Sequence, residues 1–167
     1  MRRTAGPRVR DRDLGPWPRC GAGGTVGGVD AEMTMMERAE CLALLADQQV
    51  GRVVHGGGPL PAVVPVTYAL DGEDVLLRTL ASSQLAAAVG RVVAFEVDEV
   101  EPALRAGWSV VLQGRLERVT GPEQAERAER LVEAWAPGPR DLLLRVRPTL
   151  VSGRRIRPAT GARARTG

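Results

Sequence analysis

Short apolar segments, bounded by glycine, proline or charged residues, constrain the fold of this chain more than any other feature. They recur from Val50 to Ile156, and only brief helical patterns separate them. Parallel strands need longer crossover helices, so these connections favour antiparallel pairing. Asp71 followed by Gly72 is typical of a tight hairpin turn. The sequence therefore predicts a mainly β (α+β) protein built on a six-stranded antiparallel barrel with short flanking helices.

The local patterns place the individual elements. Thr34 with Glu37 three residues later is a helix-capping pattern, and Ser83 and Pro122 are expected to begin two further helices. Gly114 is expected to mark a bulge inside a long strand. The predicted strands cover residues 50–55, 61–70, 74–80, 92–97, 108–119, 142–146 and 150–156.

The chain divides into a folded domain and two tails. Residues 1–33 are rich in Arg, Gly and Pro and have no hydrophobic period, which predicts a disordered N-terminal tail. The folded domain is expected to cover residues 34–156, and residues 157–167 form a second disordered tail. The glycines between Gly21 and Gly28 follow no buried strand and open no helix, so they do not indicate a dinucleotide-binding loop.

Several classes of site are disfavoured by composition. Cys20 and Cys41 do not have the spacing of metal ligands, and they are expected to be free thiols. His55 is the single histidine, which leaves no basis for a Ser-His-Asp or Cys-His arrangement. Aromatic residues make up only 3% of the chain, so Trp108 and Trp135 are conspicuous. Filling the core is the simplest explanation for both.

Charge and hydropathy bear on location and partners. No apolar run is long enough to cross a membrane, and the arginine-rich start lacks the apolar stretch of a signal peptide, so we expect a cytoplasmic protein without a membrane partner. The net charge is +3, with arginines concentrated at both ends. No stacking aromatics beyond Trp17 alternate with these arginines, so nucleic-acid binding through the tails is the weakest alternative.

Residues 78–84 carry the clearest chemical signal. Arg78 comes late in a predicted strand, and Ser82 and Ser83 stand at the start of a short helix. A guanidinium binds phosphate through paired hydrogen bonds, and the backbone N–H groups of residues 83–86 are expected to complete the anion site. The alternative is a capped helix with a surface arginine. The residues alone leave the phosphate site and the capped helix as alternatives and do not name a ligand.

A series of short motifs runs in order over most of the chain. They are ECL at 40–42, VGRV at 50–53, PVTY at 65–68, RT at 78–79, SQL at 83–85, VAFEVD at 93–98, GWSV at 107–110, WAPG at 135–138 and GRRI at 153–156. In order and spacing the chain resembles the pyridoxamine 5'-phosphate oxidase-like family, the flavin-binding split β-barrels, in a form common in actinobacteria. The resemblance indicates a family rather than a particular activity.

The resemblance implies a homodimer with FMN, or the deazaflavin F420 as the alternative, bound between the subunits. It implies an oxidoreductase acting on an unidentified small molecule, in which the flavin carries the redox chemistry. No catalytic side chain and no metal ligand is assigned. The implied cofactor-binding residues are Arg78 and Thr79 for the phosphate, Ser82, Ser83 and Gln84 for the turn over it, Pro65, Val66, Thr67 and Tyr68 beside the ring, and Trp108, Ser109 and Gln113 reaching the flavin of the other subunit.

One position departs from the family pattern. Gln84 stands where Lys or Arg is usual, which replaces a charge-assisted contact with a neutral one. The expected cost is about 1–2 kcal/mol, or roughly tenfold in affinity. A non-catalytic module that binds a flavin or a related phosphate ligand is therefore the alternative function. The longer arginine-containing C-terminal signature of true pyridoxamine phosphate oxidases is also missing, so that activity is not expected.

Overall fold

The computed structural model describes residues 31–56, 60–133, 135 and 141–158. This part of the chain forms seven strands and three helices. In chain order they are β1 (Ala31–Met36), α1 (Arg38–Ala46), β2 (Val50–His55), β3 (Ala62–Asp71), β4 (Asp74–Thr79), α2 (Gln84–Ala87), β5 (Val92–Glu101), β6 (Ala106–Arg118), α3 (Pro122–Leu131) and β7 (Leu142–Pro158).

The strands form a closed antiparallel barrel. The sheet runs in the order β1-β7-β4-β3-β2-β5-β6, and a further pairing of β6 with β7 closes six of these strands into a ring. β1 is the extra strand and pairs only with β7 among the described strands. The predicted fold class, a six-stranded antiparallel barrel with short helices, is confirmed.

β7 is a single strand of 17 residues, although the sequence pattern predicted separate strands at 142–146 and 150–156. Its first part pairs with β4 on one side, and its second part pairs with β1 on that side. On the other side it follows β6, with a register shift between Gln113 and Gly114 that confirms the predicted bulge. A Cβ atom on Gly114 would collide with the carbonyl oxygen of Arg147. The bulge lets the long strand bend without breaking.

The start of the folded domain differs from the prediction. Residues 31–36 form β1, with Thr34 opposite Arg155, where a helix beginning at Thr34 was expected. The helix begins at Arg38, and its N-cap residue Glu37 makes no side-chain capping bond. Pairing with β7 satisfies the backbone groups of this segment, and that tertiary interaction overrides the local capping pattern.

The described strands also cross both predicted domain boundaries. β1 begins at Ala31, before the boundary at 33, and β7 continues to Pro158, past the boundary at 156. The remaining residues of the predicted tails, including Cys20 and Trp17, lie outside the described residues. The sequence pattern predicts a helix over residues 122–135, whereas α3 ends at Leu131. No helix in the described ranges is long and apolar enough to cross a membrane.

The barrel interior is mostly aliphatic. Val53, Leu77, Leu112 and Leu144 are fully buried around the single phenylalanine, Phe95. A smaller apolar cluster lies outside, where α3 packs on the barrel through Leu76, Ala128, Val132 and Leu143. This core holds β3 and β4, the two strands that frame the candidate site.

Candidate functional site

The barrel opens between β3 and β4. The two strands pair from the Asp71–Asp74 turn up to Tyr68 opposite Leu77, and beyond that point β3 pairs only with β2 while β4 pairs with β7. Residues 62–67 therefore present a backbone edge without a β4 partner. Pro65, which lacks an N–H group, lies on this edge, as a proline in a strand should.

A cleft of about 310 Å³ lies where β3 and β4 separate. We call it the Arg78 cleft. Its described lining residues are Val50, Val64, Pro65, Val66, Thr67, Arg78, Thr79, Leu85 and Trp135. The structure thus brings together two groups of predicted site residues, Arg78 with Thr79 and residues 65–67, that are separated by a hairpin in the sequence.

Arg78 gives this cleft its chemical character. It is half-buried at the end of β4, next to the buried Thr79, and it is the one charged residue among the described lining residues. The other walls are mostly aliphatic or aromatic. A cleft of this kind suits a ligand with a large apolar body and one anionic group.

The turn before α2 agrees with the prediction at Ser83, the N-cap residue, and differs from it at other groups. The Oγ of Ser83 accepts a hydrogen bond of 3.1 Å from the backbone N–H of Ala86, which confirms Ser83 as the N-cap. The N–H of Ser83 itself donates to the carbonyl of Leu80 at 3.0 Å. Two N–H groups expected to complete the anion site are therefore used within the turn, and that part of the prediction is wrong. Ser82 is exposed and does not line the Arg78 cleft.

Gln84 lies on the other side of α2 from the Arg78 cleft. It is exposed and lines a neighbouring cleft of about 330 Å³, the His55 cleft. The described residues of that cleft are His55, Gly56, Leu60, Ala62, Gln84, Ala87, Ala88 and Arg91. Residues 84 and 85 thus face different clefts, and in this structure Gln84 does not join Arg78 at one site.

Tyr68 is a structural residue rather than an exposed wall of the Arg78 cleft. Its side chain is buried, and its hydroxyl donates a 2.6 Å hydrogen bond to the carbonyl of Leu45 at the end of α1. Burial raises the pKa of this phenol above its usual range. Tyr68 lines a separate cleft of about 300 Å³, which shares Thr67 and Trp135 with the Arg78 cleft.

Trp108 and Ser109 lie apart from the Arg78 cleft within one chain. Both are on β6 and line a cleft of about 410 Å³, the Trp108 cleft, together with residues of β1, β5 and β7. The indole N–H of Trp108 donates to the Glu99 carboxylate at 3.2 Å. Gln113 is exposed at the bulge, where its carbonyl accepts a 3.1 Å hydrogen bond from Thr149.

Trp135 lines the Arg78 cleft but is not among the predicted site residues. The prediction that it fills the core is wrong, because 59% of its surface is exposed and it lines the Arg78 cleft. Val50, Val64 and Leu85 complete the apolar wall and were also missed as site residues. The available signal was the rarity of aromatics, since a tryptophan that the core does not need is a candidate for ligand contact.

Acid–base groups are missing from the described lining of the Arg78 cleft, which contains no His, Cys, Asp or Glu. Within the described ranges there is also no group of three such residues able to hold a metal ion. The described side chains of this cleft can therefore bind and orient a ligand, but they include none of the residue types that most often act as general acids or bases.

The chain forms an antiparallel barrel with a cleft at one seam, and the described lining of that cleft contains a single cation. This arrangement defines the class of the split β-barrel binding proteins. A profile of the family described as pyridoxamine 5'-phosphate oxidase matches residues 37–155. The chain belongs to this family. The resemblance inferred from the short motifs is confirmed.

Relatives extend the comparison. The protein described as uncharacterized protein Rv0080 of Mycobacterium tuberculosis is 37% identical over 131 residues, which cover 75% of this chain and 86% of that protein. The structure of an FAD-binding protein from Mycobacterium smegmatis is 29% identical and superposes with a TM-score of 0.64, covering 74% of this chain and 97% of that one. A conserved protein of unknown function, DIP1874 from Corynebacterium diphtheriae, is 31% identical with a TM-score of 0.63, covering 73% and 96%.

Proposed function

We propose that this protein binds a flavin in the Arg78 cleft, with the phosphate at Arg78 and Thr79 and the ring along residues 65–67. The observation that carries the proposal is the joining of these two groups in one cleft, at the place where β3 and β4 separate. A flavin mononucleotide has an apolar tricyclic ring and one phosphate, which matches an apolar cleft with one guanidinium. The name of the Mycobacterium smegmatis relative, an FAD-binding protein, supports a flavin.

The chain's own groups position such a cofactor. Residues 65–67 offer backbone groups on an edge that β4 does not cover, and these can contact the polar rim of the ring. Trp135 offers an exposed aromatic surface at the same cleft. When bound, the flavin supplies the hydride- and electron-transfer chemistry that these side chains lack.

The activity that we propose is oxidoreduction of a small molecule, with FMN as the cofactor and F420 or FAD as alternatives. The lack of acid–base side chains among the described residues of the cleft is consistent with flavin-centred redox chemistry. It also favours a second candidate, a non-catalytic module that holds a flavin without turning it over. The two differ in whether the bound flavin passes its electrons on.

We also propose that the protein works as a homodimer. Met33, Val100 and Ile156 line the Trp108 cleft and are 60%, 64% and 39% exposed. This apolar surface would be covered by a second copy, so that Trp108 and Ser109 approach the flavin of that copy. The proposal explains why these residues lie apart from the Arg78 cleft within one chain.

The experiment is a spectrum and a titration. The purified protein is expected to show flavin absorbance, or to acquire it when FMN, FAD or F420 is added to the apoprotein, and the affinities rank the three. A colourless protein that binds none of them contradicts the proposal. Reduction of the bound flavin by NADPH, followed by reoxidation with an added electron acceptor, would exclude the non-catalytic module.

A further inference from the structure

The His55 cleft has a chemical character that the proposed flavin site does not use. It is about 330 Å³ in volume and lies beside the Arg78 cleft, since Gln84 and Leu85, consecutive residues, line one cleft each. Its polar lining residues are His55, Gln84 and Arg91, and the described lining contains no carboxylate. The cleft therefore offers hydrogen-bond donors and positive charge without a competing anion.

His55 supplies an independent sign of a missing partner. Its Nε2 atom is buried and has no hydrogen-bond partner among the described residues, while Nδ1 lies 3.4 Å from the carbonyl of Gly56. Buried polar atoms are nearly always paired, so an unpaired ring nitrogen in a residue that lines a cleft needs an explanation. An Nε2–H group bonded to an oxygen of a bound molecule would supply one.

Arg91 donates a hydrogen bond to the same carbonyl oxygen, that of Gly56, from one of its several N–H groups. Its guanidinium donates one bond of 3.4 Å to Gly56, at the long end of the hydrogen-bond range, and the side chain is exposed. A planar guanidinium with further N–H groups is suited to two-point binding of a phosphate. Gln84 adds an amide donor to the same cleft.

We propose that the His55 cleft is a second anion site that binds a phosphate group of a nucleotide, through Arg91, His55 and Gln84. The proposal rests on the flavin site, because the two clefts adjoin at the consecutive residues Gln84 and Leu85. The second phosphate has two possible sources. It is either the adenylate phosphate of FAD, whose flavin occupies the Arg78 cleft, or a phosphate of a separate nucleotide bound beside FMN.

The test measures three ligands against three variants. Dissociation constants are determined for FMN and FAD with apoprotein, and for ADP with FMN-loaded protein. The variants are Arg91→Gln, His55→Gln and, as the matched control, Arg115→Gln. Arg115 is also exposed and also donates to a glycine carbonyl, that of Gly90, but it lines none of the clefts described above. Thermal melting verifies that each variant is folded.

The results distinguish the two possible sources of the second phosphate. If the phosphate belongs to FAD, Arg91→Gln and His55→Gln weaken FAD by about tenfold each and leave FMN and the control unchanged. If it belongs to a second nucleotide, ADP binds the FMN-loaded protein and the same variants weaken it by a similar factor. Should neither FAD nor ADP respond to Arg91→Gln or His55→Gln, the second site is overturned while FMN binding still stands. Failure of all flavins, with ADP binding dependent on Arg91, would overturn the flavin site instead.

Discussion

The ring of Tyr68 meets the ring of Phe95 edge to face, with centroids 4.8 Å apart and planes at 72°. These are the only tyrosine and the only phenylalanine of the chain. In chain order, Tyr68 is also the first residue of β3 that pairs with β4. The aromatic contact therefore lies where the two strands begin to separate. The one tyrosine therefore fixes the point from which the two walls of the Arg78 cleft diverge.

Tyr68 is expected to resist ionisation until the protein unfolds. Burial raises its pKa in the folded state, so the folded protein keeps the phenol proton above pH about 10, where the unfolded chain loses it. The free energy of unfolding should therefore fall as the pH rises above that value. Because Tyr68 is the single tyrosine, near-ultraviolet phenolate absorbance reports on it alone and should appear together with the loss of circular dichroism.

Tyr68→Phe is the matched variant. At neutral pH it should lose about 1 kcal/mol of stability, because the carbonyl of Leu45 loses its 2.6 Å donor. Above pH about 10 its stability should fall less steeply than that of the wild type, since the titrating group is gone. Phenolate absorbance at pH about 10 in wild-type protein that is still folded would contradict the assignment.

Arg78→Gln should weaken flavin binding. The variant replaces a guanidinium with a neutral amide in the cleft, and the loss of one charge-assisted contact is worth about tenfold to a hundredfold in affinity. Quenching of flavin fluorescence during titration measures the change. Arg118→Gln, at an exposed end of β6, is the control and should bind like the wild type. Equal affinity in all three proteins would place the phosphate elsewhere.

Substitution of Trp135 should change the affinity for a flavin bound in the Arg78 cleft. Trp135→Ala removes an aromatic wall and is expected to weaken flavin binding by a few-fold to about tenfold, whereas Trp135→Phe should retain most of the affinity. The side chain is largely exposed, so neither variant should lower the melting temperature much. A matching loss of affinity and of stability in Trp135→Ala would instead indicate a structural role.

Subunit mixing tests whether Arg78 and Trp108 act at one site across a homodimer. Arg78→Gln and Trp108→Ala are each expected to bind flavin poorly. After unfolding and refolding together in equal amounts, half of the dimers are mixed, and each mixed dimer contains one intact site. Flavin binding should therefore return to about a quarter of the wild-type sites. No recovery in a preparation that sedimentation shows to be dimeric would contradict the shared site.

Gly114→Ala should destabilise the barrel at its bulge. The added Cβ would meet the backbone carbonyl of Arg147, which a side-chain movement cannot relieve, so we expect a loss of about 1–3 kcal/mol. Gly56→Ala is the control, because no atom of the described residues lies within 4 Å of its Cβ position. Urea denaturation of both variants measures the difference. Equal stabilities would show that β6 and β7 shift apart at little cost.

The sequence was most informative where local pattern and tertiary structure agree. The Asp71–Gly72 turn, the Ser83 cap and the bulge at Gly114 each depend on residue types with narrow conformational roles, and each was predicted correctly. The family resemblance implies that residues 65–67 and Arg78 bind one cofactor, and in the structure these residues line one cleft. The turn, the cap and the bulge can each be predicted from a few consecutive residues.

The rest depended on contacts distant in sequence. Thr34 and Glu37 form a helical capping pattern, yet residues 31–36 form a strand because β7, over a hundred residues later, offers an unpaired edge. Gln84 and Leu85 are neighbours in sequence but face different clefts, which no motif could reveal. Composition favours a core position for Trp135, whereas its exposure and its place in the Arg78 cleft depend on the fold.

The long strand β7 also determines when the protein can become a barrel. It supplies two seams of the ring and the only described partner of β1, and its residues come last among the described elements. During synthesis β2 to β6 can pair among themselves, but the ring stays open until β7 leaves the ribosome. Contacts so distant in sequence are slow to form. The nascent chain must therefore carry two unpaired strand edges, which are liable to aggregate, until its final strand arrives.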